Sequence, residues 1–217
     1  MTIECHLLWG IRVMNLTFLP GASGNTAFWQ DVIQYLTLEI ETTVIAYPSF
    51  GGHPNHVGVK SFEDLQHYVL GQIQQDSVLI AQSMGGIFAV QAALQQPEQV
   101  RALVLVATSG GIDLSAFEVA DWRKDDQLNF TVPDWFVQHR IHLDAALEKI
   151  SCPVLLIWGD SDLISPVAIG QYLHENIVHS ELYVIENGQH DLAQVYAEQV
   201  SVLIENFLIR KIKNAQS

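Results

Sequence analysis

Ser83 sits where a short apolar run, Ser77-Val78-Leu79-Ile80-Ala81-Gln82, gives way to a helical pattern that begins Met84-Gly85-Gly86-Ile87-Phe88. Its neighbours two before, two after and three after are Ala81, Gly85 and Gly86. A strand that turns sharply into a helix strains the residue at the junction, and larger side chains beside it would clash. Such a junction holds a hydroxyl at a helix N-terminus, where backbone N–H groups and the helix dipole favour negative charge. The chemistry this suits is nucleophilic attack. A serine is a weak nucleophile, however, unless an imidazole removes its proton and an acid sets that imidazole's tautomer. His190 is the base candidate: it follows the final apolar run in Asn187-Gly188-Gln189-His190, and none of the other eight histidines follows a strand so directly. Acid candidates are Asp160 and Asp162, in Trp158-Gly159-Asp160-Ser161-Asp162-Leu163-Ile164-Ser165-Pro166, and Asp113, a few residues after the run Arg101–Ala107. Small-x-Ser-x-small alone also describes an ordinary helix start, so the chemistry depends on these partners.

Taken together these pieces resemble the α/β-hydrolase superfamily, over about Leu16 to Leu208. Ala81-Gln82-Ser83-Met84-Gly85 is similar to the family's nucleophile elbow, with Ala81 where the commonest form has glycine. Gly159-x-x-Asp162-x-x-x-Pro166 resembles the acid loop and selects Asp162 over its rivals, and Gly188-x-His190 resembles the histidine loop. The order serine, acid, histidine is also the family's. The resemblance implies that Ser83 attacks, His190 moves the proton and Asp162 orients the imidazole. An oxyanion needs two donors. One is the backbone N–H of Met84, next to the nucleophile. By resemblance the other is the N–H of Ala22, in Leu19-Pro20-Gly21-Ala22-Ser23-Gly24, where the family usually carries His-Gly in place of Pro20-Gly21.

The expected activity is that of a carboxylesterase-like serine hydrolase, cleaving a small to medium apolar carboxylic ester or related acyl compound through an acyl-enzyme. No cofactor and no metal are expected. A serine nucleophile departs from the haloalkane dehalogenases and epoxide hydrolases of the superfamily, which attack with aspartate. It leaves open carbon–carbon bond hydrolysis or a cofactor-free lyase on the same residues, and a small-molecule-binding module with little turnover.

The elements that must position these residues alternate along the chain. Apolar runs at Leu16–Leu19, Thr42–Ala46, Ser77–Gln82, Arg101–Ala107, Cys152–Trp158 and Glu181–Ile185 read as strands. Between them lie helical patterns: one opened by Asn25 and carrying Phe28, Trp29, Val32 and Ile33, and one with a capping box of Ser61 and Asp64. Pro97 closes the helix after Ser83, and a final helix runs through Leu192, Val195, Tyr196, Val200 and Phe207. The expected fold is α/β, a mostly parallel sheet of about six to eight strands with helices on both faces, in one domain over 1–217. Residues 112–147 interrupt the alternation and read as a short cap over the carboxyl ends of the strands. Its aromatics Trp122, Trp135 and Phe136, with Trp29 of the first helix, are expected pocket walls. Residues 1–13 have no clear period and read either as an edge strand or as an extension ahead of Met14.

Composition bounds the rest. Hydrophobic residues make up 49% of the 217 and charged residues 16%, the balance of a chain with a substantial core. A net charge of −14 disfavours nucleic acid and anionic membranes, leaving a small-molecule substrate as the expected partner. Cys5 and Cys152 form no disulfide framework, and no stretch reads as a signal peptide or transmembrane helix, so a cytoplasmic setting is expected. His139 and His142 do not by themselves make a metal site.

Overall fold

The computed structural model describes residues 14–120 and 132–215. Six strands lie in chain order as β1 (Asn15–Leu19), β2 (Glu41–Val44), β3 (Ser77–Gln82), β4 (Val100–Val106), β5 (Val154–Gly159) and β6 (Ser180–Ile185). They form one sheet in the order β2-β1-β3-β4-β5-β6, and every pairing is parallel. This is the α/β architecture expected from the alternation of patterns.

β3 and β5 are buried along their whole length, which is why they read as continuous apolar runs rather than as alternating ones. Successive side chains still go to opposite faces. Leu79 and Ala81 join the core under α2 (Phe62–Leu70), α3 (Met84–Gln95) and α5 (Val167–Asn176). Val78 and Ile80 join the other core, under α1 (Gln30–Tyr35), α6 (Leu192–Val195) and α7 (Ala197–Ala215). The remaining helix, α4 (Asp134–Gln138), belongs to the β4–β5 connection.

The caps follow local chemistry. Asn25 opens a 3₁₀ turn (Thr26–Trp29) by accepting from Ala27 N at 3.0 Å, and Ser61 Oγ accepts from Asp64 N at 3.1 Å. Asp64 reaches back one residue further than a capping box does, accepting from Lys60 N at 3.0 Å. α3 ends at Gln95, where Gln96, the residue before Pro97, leaves the helical region at φ −131° and ψ 50°. β5 starts at Val154 rather than Cys152: Pro153 has no N–H to give the ladder, though its carbonyl accepts from Leu103 N at 3.0 Å. The final helical pattern is two helices, interrupted at Tyr196 with φ −113° and ψ 38°.

Gly85 shows how tightly the strand ends are packed. A Cβ there would stand 2.5 Å from Leu19 O and 2.7 Å from Pro20 O, so α3 approaches the end of β1 only because residue 85 has no side chain. Gly85→Ala is expected to cost about 1–3 kcal/mol through overpacking, read as a clear fall in the melting midpoint. An unchanged midpoint would show that the contact is not needed.

Candidate active site

Parallel strands put all their carboxyl ends on one side, and that is where open α/β sheets form their clefts. There the turns after β1, β3, β4, β5 and β6 surround a cavity of about 570 Å³ whose walls include Ala22, Ser83, Met84, Phe136 and His190.

Ser83 occupies the β3–α3 junction at φ 52° and ψ −120°, a region that non-glycine residues rarely enter. Its surroundings hold it there. Its N–H donates to Val106 O at 3.2 Å, and its own carbonyl accepts from Gly86 N and from Thr108 Oγ1. Any Cβ on Gly86 would collide with the Thr108 side chain. The threonine that secures the serine's carbonyl thus needs a glycine three residues past the serine.

His190 and Asp162 lie on neighbouring turns. Nδ1 of His190 donates to Asp162 Oδ2 at 2.9 Å, with the carboxylate side chain fully buried and the imidazole 23% exposed. The other carboxylate oxygen accepts from Ile164 N at 2.8 Å and Ser165 N at 2.9 Å. A buried carboxylate with these partners is satisfied as an anion. It also fixes the proton on Nδ1, which leaves Nε2 with the lone pair a base needs.

The rival acids are engaged elsewhere. Asp160 Oδ1 accepts from Asn187 N at 2.7 Å and Ser161 Oγ at 2.9 Å, and Ser161 N donates to Gly188 O at 3.0 Å. Asp160 therefore ties the acid turn to the histidine turn. Asp113 is exposed, and its carboxyl is held below the usual range by accepting from Ser115 N.

The β1 turn is fastened from two sides. Tyr47 OH donates to Pro20 O at 3.0 Å, and Trp29 Nε1 donates to Leu19 O at 3.2 Å. Gln82 faces Gly21 and donates through Nε2 to His190 O at 3.3 Å, so the residue before Ser83 also braces the histidine turn.

The expected walls divide. Phe136 lines the cavity. Trp29 is a correction: its side chain is fully buried against Phe18 and Phe28, and it is Phe28 that reaches the cavity. Trp135 packs edge-on to Phe50 outside the lining, a second correction, because Phe136 takes the inward position of that pair. Trp122 lies outside the described residues, as do residues 1–13. Leu114, Ile164, Ser165 and Ile169 line the cavity without having been picked out in the sequence. Their signal was position: Leu114 follows β4, Ile164 and Ser165 are on the acid turn, and Ile169 is in the first turn of α5.

Among the described residues no cluster of three or more His, Cys, Asp or Glu side chains is arranged to hold a metal. His139 lies flat on Phe62 with ring centroids 4.0 Å apart, a packing role. Among the same residues no helix is long and apolar enough to cross a membrane. Burial pushes the Cys152 thiol up to about 11, far from nucleophile chemistry.

Residues 16–138 match the family model of the alpha/beta hydrolase fold. The chain belongs to the α/β-hydrolase family. It is 25% identical to an uncharacterized hydrolase, YugF, of Bacillus subtilis, over 89% of this chain and 89% of that one. It is likewise 25% identical to a pimeloyl-[acyl-carrier protein] methyl ester esterase of Neisseria meningitidis, over 90% of this chain and 94% of that one. The solved structure of a thermophilic esterase from Thermogutta terrifontis superposes with a TM-score of 0.74 at 20% identity, covering 93% of this chain and 91% of that one. This α/β-hydrolase is thus an enzyme of the hydrolase class, with its cavity at the strand ends.

The buried Tyr47 makes a pH prediction. Burial holds its phenol well above the usual tyrosine range, so the folded state keeps a proton that the unfolded chain releases near pH ~10. Its stabilising share is complete below that pH and declines above it. The melting midpoint of the wild type is expected to fall more steeply between about pH 10 and 11 than that of Tyr47→Phe. Parallel curves would refute this.

Proposed function

We propose that this α/β-hydrolase is a serine esterase, cleaving a small to medium apolar carboxylic ester or related acyl compound through an acyl-enzyme on Ser83. The observation that carries the reading is the Nδ1 donation of His190 to the buried Asp162, on a turn that shares the cavity wall with Ser83. In this reading Ser83 Oγ attacks the ester carbonyl carbon while His190 Nε2 takes its proton. The carbonyl π pair moves onto oxygen, where the N–H groups of Met84 and Ala22 donate to it. As the pair returns, the ester C–O bond breaks and His190 gives its proton to the departing alcohol. Water then repeats the sequence on the acyl-enzyme, releasing the acid and restoring Ser83. Asp162 keeps its charge throughout and stabilises the imidazolium.

The names of the relatives support ester cleavage, since the Neisseria enzyme is called a methyl ester esterase. The apolar part of the wall, with Ile87, Leu114, Phe136 and Ile169, suits an apolar chain. We place the whole chain in one domain, with a short cap within 112–147, and locate it in the cytoplasm.

Three measurements test the reading. Wild-type protein is expected to turn over p-nitrophenyl esters with an optimum in acyl length, and Ser83→Ala to lower kcat by a factor on the order of 10⁴–10⁶ while melting normally. An active Ser83→Ala protein would sink the assignment. Asp162→Asn is expected to keep the shape of the site and lower kcat by roughly 10⁴, because it no longer accepts the Nδ1 proton as an anion. Trapping an adduct of a phosphonate probe on Ser83 separates this reading from a lyase that forms no acyl-enzyme.

A further inference from the structure

The sheet does not by itself bring the base to the nucleophile. β4 and β5 stand between β3 and β6, so Ser83 and His190 follow strands roughly 14 Å apart. The bonds of the histidine turn to Asp160, Ser161 and Asp162 all run to its neighbour, the acid turn. They make one unit of base and acid. Where that unit stands relative to Ser83 is a separate matter.

One side chain links the two. Gln82 is 5% exposed, ends β3 beside Ser83 and lines the cavity. Its Nε2 donates to His190 O at 3.3 Å, across 108 positions of sequence. The oxygen end of the same amide lies against Gly21, where any Cβ would collide with Oε1. Gly21 precedes Ala22 in the turn after β1. A single buried amide thus touches the turn of the base and the turn after β1, and is joined through its backbone to the nucleophile. Burying an amide is unfavourable unless it is bonded, so the donation to His190 O accounts for a polar side chain at this place.

We propose that Gln82 is a positioning residue, whose amide sets His190 Nε2 against Ser83 Oγ. The inference rests on the esterase reading and deepens it. The bond is ordinary in strength, but a misplacement of about 1 Å between reacting groups can lower a rate on the order of 10²-fold. The link therefore matters more to rate than to stability. It acts at two moments: when His190 takes the proton of Ser83, and when it passes that proton to the departing alcohol.

The test compares Gln82→Met with wild type on p-nitrophenyl butyrate and ethyl butyrate. Methionine is close to glutamine in length and volume, and it cannot donate to His190 O. The variant is expected to melt within about 4 °C of wild type. On p-nitrophenyl butyrate kcat is expected to fall about tenfold, with KM within about twofold. The loss on ethyl butyrate is expected to be larger, because ethoxide leaves only with a proton from His190 and p-nitrophenolate leaves without one. Gln82→Asn keeps the amide but is one methylene too short, and is expected to give the same pattern should the methionine variant not fold. A folded variant with wild-type kcat overturns the proposal. So does a raised KM with kcat unchanged, the mark of a substrate contact, or an equal loss on both esters, the mark of general loosening. Failure of both variants to fold overturns it as well, since the side chain would then be holding the fold. Silence of the wild type on both esters overturns the esterase reading and this inference with it, whereas an active wild type beside an unimpaired variant overturns this inference alone.

Discussion

The structure depends on the backbone of Ser83 being held at a positive φ. A serine placed there gains nothing locally, since L side chains in that region crowd their own backbone. The cost falls on the neighbours. Gly85 lets α3 close onto the carbonyls of Leu19 and Pro20, and Gly86 makes room for Thr108, whose hydroxyl secures the serine's carbonyl. β1 and β4, on either side of β3, thereby help set the conformation of one residue between them. The elbow belongs to the sheet as a whole.

Around that point the turns support each other more than they are supported from below. Gln82 braces the turn of His190, Asp160 joins the acid turn to the histidine turn, and Tyr47 and Trp29 hold the carbonyls at the end of β1. Each bond is ordinary in strength, on the order of 1 kcal/mol net. Their value is positional. Gly159 and Gly188 pack backbone to backbone, so the two turns form one surface carrying both the carboxylate and the imidazole.

Much of this could be read from the residues. Strands buried on both faces announce themselves as unbroken apolar runs, and the elbow announces itself by Ala81, Gly85 and Gly86. Ser83, Asp162 and His190 were legible because each follows a strand, so local pattern already places them at the same end of a parallel sheet. The pocket walls were less so. Trp29 and Phe28 sit side by side on one helical turn, and which ring enters the core depends on Phe18 and on the carbonyl of Leu19, ten residues away in sequence. Trp135 and Phe136 pose the same problem against Phe50. A one-residue rotation decides inside from outside, and helical periodicity does not resolve it.

The segment that supplies Leu114 and Phe136 leaves the sheet after β4 and returns at β5, and those two strands are hydrogen-bonded neighbours from Leu103–Val154 to Val106–Ile157. Its two roots are therefore clamped together by the sheet, whatever lies between them. The excursion can be lengthened, shortened or replaced with little entropic consequence, since closing a loop of twice the length costs only about 0.6 kcal/mol more. Meanwhile the turns bearing Ser83, Asp162 and His190 are secured to one another by bonds outside it, and Thr108, which holds the serine's carbonyl, stands at its root beside β4. Selection can thus exchange the roof of the cavity while the floor stays as it is, and change what enters without relearning how to cut it.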